Sequence, residues 1–463
     1  MIARVLSVLL CLVAAPAAAA SSAPAATVEV VRDGDRWTAD YQLHARAPVW
    51  AFAKSILPRE TPRSWRLDSV RVLTPGVTLQ RLGHHDALVA RRGVLPPRVR
   101  LEFTPYTLDI EAGYDAAIGF SDGSVALYAD GFKLVPMASA AATRAAGKDE
   151  SALPTIARPT RTIFVDRAGP VLARGTRQAR AQMDHGEAYV LFGTARPSIG
   201  AAMTTIFDPA LPPWISAYFN REMPRILADY RARLGPSPVG QPTLMVAWAG
   251  ATPGKVSLGG SVLPGLVVMT LEGQGLATRN DKAAHHARWF VAHEAAHFWL
   301  GQAVAYDGPA DSWITEGGAD LLAFRATAAG DPTFDVTARL AEARAECLPF
   351  LARGGIAGAY LREGDHRAYY ACGAIIALAA EQASGGDFGA FVRTLIARNP
   401  DGIVTRDEWL ALLEQRAPGR GLAAAIANLL DRRQPDPAAA LDAFIARAGI
   451  GHAIAVKAAT PAR

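Results

Sequence analysis

Four residues near the middle of the chain carry the chemistry. His293 and His297 stand four positions apart, Glu294 follows the first, and Glu316 comes after eighteen intervening residues. On a helix, positions i and i+4 share a face, so the two imidazoles can close on one metal ion. Glu294, one position on, can reach a water held there. Glu316 would be the third protein ligand and leaves a fourth position open. That is the arrangement of a catalytic zinc, whereas a structural zinc is closed by four side chains. One Zn2+ per chain is the expected cofactor. The alternative for these residues is a pair of core histidines bonded to backbone beside an ordinary helix glutamate.

Residues 289–300 are apolar nearly all round, with Asn280 or Asp281 available as N-cap and Gly301 as a stop, which predicts a buried helix. Two histidines and a glutamate are costly in such a helix without partners, and a metal supplies one. A second helix is expected from an N-cap at Asp311 or Ser312 to about Gly330, with Glu316 in its first two turns. Gly317 and Gly318 inside it each cost on the order of 1 kcal/mol relative to alanine, and close approach to the histidine helix is the expected reason. Asp320, one turn past Glu316, either accepts a hydrogen bond from a ligand histidine and fixes its tautomer or is a solvated carboxylate. His285 and His286, two turns before the motif, read as surface or capping residues.

Taken in register, His293, Glu294, Ala296, His297, Trp299, Gly301, Val304, Trp313, Glu316, Gly317 and Ala319 resemble the signature of the alanyl-aminopeptidase type of gluzincin, the family of aminopeptidase N and leukotriene hydrolase. The resemblance implies that His293, His297 and Glu316 bind zinc and that Glu294 is the general base. Tyr370-Ala371-Cys372-Gly373 is similar to the family's Tyr-x-x-Gly element, whose tyrosine hydrogen-bonds the developing oxyanion, and this makes Tyr370 the oxyanion candidate. Tyr369 is its rival, because adjacent residues point about 100° apart on a helix. Either could instead be a core aromatic with its hydroxyl satisfied elsewhere.

The chain departs from the family upstream of the histidines. The family carries Gly-x-Met-Glu-Asn there, with the glutamate on the substrate's amino group; here Gly259-Gly260-Ser261-Val262-Leu263-Pro264-Gly265 places Val262 at that position. An apolar side chain cannot offset the desolvation of an ammonium group. The resemblance thus implies peptide-bond hydrolysis of a peptide or protein partner. Its specificity is either that of an aminopeptidase with another carboxylate such as Glu272 on the amine, or that of an endopeptidase. Gly259 and Gly260 are expected to let a substrate strand approach the sheet edge. A reading from another class is a non-catalytic, zinc-containing peptide-binding module on a peptidase scaffold, which would have no need of Glu294.

Arg4, the apolar run that follows and the small residues up to Ala20 read as a secretory signal peptide over residues 1–20, so an exported, periplasmic or secreted protein is expected. No later apolar run approaches the ~18 residues that span a membrane. Removal of that segment leaves Cys347 and Cys372 as the only thiols. They are either a disulfide tying the segment of Tyr370 to the one before it or two separate buried thiols. A formal charge of +5 over 463 residues, without a long basic run, gives no footprint for nucleic acid.

The pattern predicts a multidomain α+β fold. A β-rich antiparallel domain is expected over 26–207, a thermolysin-like α/β catalytic domain over 208–334 by analogy with gluzincins, and an all-helical region over 335–463. Residues 27–43 alternate around Asp33-Gly34, and residues 120–135 around Asp122-Gly123 and Asp130-Gly131, which predicts hairpins. Residues 138–159 read as a linker or long loop. Strands are expected at 162–165, 188–192, 242–249 and 266–271, an amphipathic helix at 214–234, and a capping box at Thr405 to Glu408.

Overall fold

The computed structural model describes residues 24–454 apart from 60, 112–113, 149–151, 155–159, 185–187 and 364–365. The signal-peptide segment 1–20 lies outside the described residues. The architecture is α+β, with several sheets in the N-terminal half and helices dominating the C-terminal half.

Alternation of apolar and polar residues builds the first half. Strands Ala26–Asp33 and Arg36–Leu43 pair antiparallel across Asp33-Gly34, where Gly34 takes the positive φ of 60° that such a tight turn needs. They sit in a six-stranded sheet, whose one parallel pairing among the described residues joins Ala26–Asp33 to Arg161–Asp166. Four-stranded and five-stranded sheets complete the region. Asp122-Gly123 turns strand Ala117–Gly119 into Val125–Tyr128 as expected. Asp130-Gly131 does not make a hairpin. The chain there forms one turn of 3-10 helix, Ala129–Phe132, and the strands on either side of it belong to different sheets. Gly131 keeps a negative φ, so the turn redirects the chain without folding it back. Within 138–159, Ser139 caps a short helix, Ala140–Ala145.

A five-stranded sheet then supports the histidines. Its order is Ser198–Ile199, Thr204–Phe207, Thr243–Trp248, Leu266–Glu272 and Ser257–Leu263, with the middle three parallel and the last an antiparallel edge strand. Period-2 alternation splits each strand between two cores. Leu244, Val246, Val267 and Met269 face the helices, while Met245, Ala247 and Val268 join Tyr128, Leu172 and Tyr189 of the N-terminal sheets.

Helices Pro213–Leu234, Asp281–Ala296 and Trp313–Gly330 share one continuous core with the helices that follow, Val336–Arg353 and Arg367–Ala383 among them. The C-terminal region is not purely helical: Ile403–Val404 pairs with Ala305–Tyr306. The Thr405 capping box onto Glu408 is present. Cys347 and Cys372 form a disulfide with Cα atoms 5.0 Å apart, tying Val336–Arg353 to Arg367–Ala383. Among the described residues no helix is long and apolar enough to cross a membrane.

Candidate metal centre

The histidine helix, Asp281–Ala296, starts at Asn280, whose side chain accepts from the Ala283 N–H. It ends earlier than the apolar run suggests. His297 is already its C-cap, and residues 298–304 follow as turns closed around Gly301 at φ 136°. This ending has a use, because the freed Leu300 carbonyl accepts from His297 Nδ1 at 2.8 Å. The helix is pinned from behind by Tyr230, whose hydroxyl donates to Ala292 O at 3.0 Å, and by the buried pair Arg288 and Glu222.

The glutamate helix, Trp313–Gly330, begins at Ser312, and Glu316 N–H bonds Ser312 O at 2.9 Å. Gly318 lies against the end of the run expected as the histidine helix, but Gly317 serves another neighbour. A Cβ on Gly317 would collide with the backbone of Gly373 on the tyrosine helix, Arg367–Ala383, and a Cβ on Gly318 would meet Leu300 Cδ1 at 2.6 Å. Gly373 is needed for the same crossing, since a Cβ there would lie 2.7 Å from Trp313 O. Two glycines thus let the helices of Glu316 and Tyr370 touch backbone to backbone.

His293 Nε2, His297 Nε2 and Glu316 Oε2 form a triangle with sides of 3.1, 3.3 and 3.4 Å. Ligands held at about 2.0–2.1 Å in a tetrahedron stand roughly 3.3–3.4 Å apart, so the triangle has the size that zinc requires. Its chemistry fits as well. His293 Nδ1 is 2.9 Å from Asp320 Oδ1, and His297 Nδ1 is committed to Leu300 O. With both Nδ1 atoms donating, each Nε2 of a neutral ring presents a lone pair. Glu316 Oε2 is buried and accepts no hydrogen bond. In that tautomer three acceptors converge, an arrangement that a divalent cation would satisfy. These three residues form the one such group found among the described residues.

The charges agree. Burial alone would raise the Glu316 pKa, yet the His297 and His293 imidazoles hold its carboxyl well below the usual range. Burial disfavours the His293 cation, but Asp320 and Glu316 outweigh it and hold the pKa well above the usual value. For His297, burial is likewise outweighed, chiefly by Glu316. Glu294 sits beside the triangle, 6% exposed, and burial pushes its carboxyl pKa up against the pull of both imidazoles.

Asp320 is buried and bonded to His293 rather than solvated. Replacement of Asp320 by asparagine is expected to weaken zinc affinity roughly 10- to 100-fold, the usual effect of losing a carboxylate behind a ligand histidine. A competitive chelator titration checks this, and an unchanged affinity would remove Asp320 from the site.

The two tyrosines separate. Tyr370 stacks on His293, with ring centroids 5.4 Å apart, and lines the cavities at the triangle. Tyr369 is turned away, its hydroxyl donating to Ala357 O at 2.9 Å. His285 bonds Asp331 at 2.9 Å, away from the triangle, and His286 lies against Trp289.

A cavity of about 380 Å³ exposes His293, Glu294, His297, Glu316, Tyr370 and Val262. It shares Gly260, Glu316 and Tyr370 with one of about 620 Å³, which is also lined by Asp109, Glu111 and Asp115, with Arg59 on Asp109 at 2.8 Å. Those acids come from the N-terminal half. Burial, with Asp109 close by, pushes the Asp115 pKa up to about 6. Sequence reasoning missed these residues, because loop acids without spacing to the motif carry no local signal. Tyr114 joins the two halves directly, donating to Val262 O at 3.0 Å. Glu272 is not in either cavity; it is held by Lys255 and Thr252 at 2.5 Å each, so it is not placed to take an amine there. The missing side chain of Gly260 makes room for Phe290, since a Cβ would lie 2.8 Å from its ring, and leaves Gly259 as the open glycine of the edge strand.

No family model matches this chain, and no curated protein matches it by sequence. Among solved structures its fold is that of zinc-dependent peptidases of the M1 type. An aminopeptidase N family protein from Idiomarina loihiensis superposes with a TM-score of 0.62 at 12% identity, over 88% of this chain and 76% of that one. An M1 zinc metallopeptidase from Deinococcus radiodurans gives 0.51 at 17% identity, over 89% and 94%. Leukotriene A4 hydrolase from Saccharomyces cerevisiae gives 0.53 at 12% identity, over 90% and 68%. At these identities the likeness establishes the fold.

Proposed function

We propose that the chain is an exported zinc metallopeptidase that hydrolyses peptide bonds in peptide or protein substrates. The observation that carries this reading is the convergence of three ligand atoms at metal-site spacing, two of them on rings oriented by Nδ1 partners, beside a buried glutamate in an open cleft. A catalytic purpose explains Glu294, which neither completes the triangle nor pairs with a cation of its own. The M1 metallopeptidase from Deinococcus radiodurans has been solved with a Tyr-Ser-Ala substrate, which supports a peptide as the ligand class. Export is supported by the signal-like residues 1–20 and by the disulfide, a bond that persists in oxidising compartments.

His293, His297 and Glu316 would hold the metal, which supplies Lewis-acid polarisation of a carbonyl and lowers the pKa of water to about 7. Glu294 accepts the proton of the attacking water and returns it to the leaving amine. Its burial makes the carboxylate a stronger base than an exposed one. Tyr370 donates its hydroxyl to the developing oxyanion. Burial and the carboxylates of Glu316, Glu294 and Asp320 keep that hydroxyl protonated far above neutral pH, so the donor is always charged with its proton. The edge strand Ser257–Leu263 offers backbone groups along the cleft for an extended substrate. With Val262 at the position of an amine anchor, amino-terminally blocked peptides are expected to be cut alongside free ones.

Chelation tests the reading. Removal of the metal is expected to abolish peptide hydrolysis and added zinc to restore it; full activity in the chelated protein would refute the assignment. Proton linkage gives a second check. In the metal-free protein both imidazoles keep their protons above the ordinary pKa of ~6.5, whereas ligation needs them neutral. Zinc affinity is therefore expected to rise with pH through that window and to fall below it. Zinc uptake at neutral pH should release protons, measured by calorimetry in buffers of different ionisation enthalpy.

A further inference from the structure

Three connections cross between the six-stranded and the four-stranded sheet at one corner of the N-terminal half. They are residues 44–48, 73–76 and 91–97, and their backbones are stitched together. Leu95 N–H donates to Ala47 O at 2.9 Å, Ala90 N–H to Pro48 O at 3.0 Å and Arg91 N–H to Gly76 O at 2.8 Å. The charge of this corner is of one sign. Arg46, Arg91, Arg92 and the adjoining Arg98 are all exposed, and residues 44–48, 73–76 and 91–98 contain no aspartate or glutamate.

The strands that lead into the corner do not supply the missing charge. Their carboxylates are Asp40, Glu102 and Asp86, and each is already paired. Asp40 is held by Arg100 at 3.2 Å, Glu102 by Arg36 at 2.8 Å and Arg71 at 2.5 Å, and Asp86 by Arg66 and Arg81 at 3.1 Å each. Among the described residues no ion pair reaches Arg46, Arg91, Arg92 or Arg98. Like charges on neighbouring loops repel one another, and a surface of dense negative charge removes that repulsion.

Two further observations point to a lipid surface. Val94 is exposed in the loop of Arg91 and Arg92. Guanidinium groups take phosphate oxygens through paired hydrogen bonds, and an apolar side chain among them suits the boundary between headgroups and acyl chains. The polypeptide also enters the fold here: Ala25 O accepts from His44 N–H at 2.8 Å, so the signal-like residues 1–20 join the domain at the arginine corner. The loop of Asp109, Glu111 and Asp115, which line the 620 Å³ cavity, follows the opposite end of strand Arg98–Phe103. A strand of six residues puts roughly 17 Å between those ends, at ~3.4 Å per residue.

We propose that this corner docks the protein on an anionic phospholipid bilayer, with Arg46, Arg91, Arg92 and Arg98 on lipid phosphates and Val94 at the headgroup boundary. The cleft, at the other end of the strand, stays open to solvent. Docking is independent of the metal centre and of the peptidase reading.

The test is sedimentation with vesicles of phosphatidylcholine alone and of equal parts phosphatidylcholine and phosphatidylglycerol. It uses the zinc-loaded chain without residues 1–20, which keeps every described residue. Each arginine at an anionic surface contributes about 5-fold in partitioning, so the phosphatidylglycerol vesicles are expected to bind roughly 10²-fold tighter. Added salt should weaken that binding, because it screens the lipid charge. Arg91→Gln/Arg92→Gln should lose at least ~10-fold with thermal unfolding unchanged. Arg398→Gln/Arg416→Gln removes the same charge from helices Phe388–Arg398 and Arg406–Arg416, and should lose less than ~2-fold. Equal partitioning into both kinds of vesicle overturns the proposal. So does an equal loss from the two double variants, which would make net charge the cause. Binding to soluble polyphosphate but not to vesicles overturns the lipid assignment as well.

Discussion

Glu294→Gln protein is expected to keep its zinc and lose about 10²- to 10⁴-fold in kcat, the usual share of a general base. Glutamine has nearly the same shape and fills the same buried position, but it cannot accept the proton of the attacking water. The metal should stay, because the triangle is made by His293, His297 and Glu316 without Glu294. Removing a carboxylate whose burial already disfavours its charge should also leave the fold intact. Turnover unchanged at full zinc occupancy would take Glu294 out of the mechanism. Zinc lost with the substitution would instead make it part of the metal site.

Tyr370→Phe protein is expected to lose about 10²-fold in kcat, the scale of one missing oxyanion donor, with metal content unchanged. The phenyl ring preserves the stack on His293, so the loss isolates the hydroxyl. Tyr369→Phe provides the control. Its hydroxyl donates to Ala357 O, and removing it should cost about 1 kcal/mol of stability with little effect on rate. Parallel kinetics and thermal unfolding of the two variants check this, and the reverse ranking of rates would transfer the role to Tyr369.

What was legible in the chain is what depends on neighbours a few residues away. The spacing of His293 and His297 on one helix, Asn280 as N-cap, the Asp33-Gly34 hairpin and the Thr405 capping box are local, and each stands where its chemistry required. Glu316 was reachable because its helix follows at once, and Asp320 because it lies one turn further on. The limits of this reading are equally physical. The histidine helix stops at Ala296 because the Leu300 carbonyl is needed by His297, a contact that apolar periodicity does not register. Gly318 lies against Leu300, at the end of the run expected as the histidine helix, whereas Gly317 answers to a different neighbour, since a missing Cβ reveals crowding but not its source. Gly317 against Gly373 became visible only with both helices in place. The parallel pairing of residues 26–33 with 161–166 joins segments far apart in the chain, as does the cavity that Asp109, Glu111 and Asp115 line together with Glu316. No local pattern announces either. Glu272, the alternative carboxylate for an amine, is held by Lys255 and Thr252 and lines neither cavity at the triangle.

The central claim is that this metal centre, with Glu294, cuts peptide bonds. It is tested most directly by mass-spectrometric mapping of products from a mixed peptide library, with the zinc-loaded protein and its Glu294→Gln variant run side by side. The account predicts new termini with the wild-type protein, from blocked as well as free peptides, and their loss with the variant. No products from a fully zinc-loaded wild-type protein would contradict it and leave a zinc-containing peptide-binding module on a peptidase scaffold.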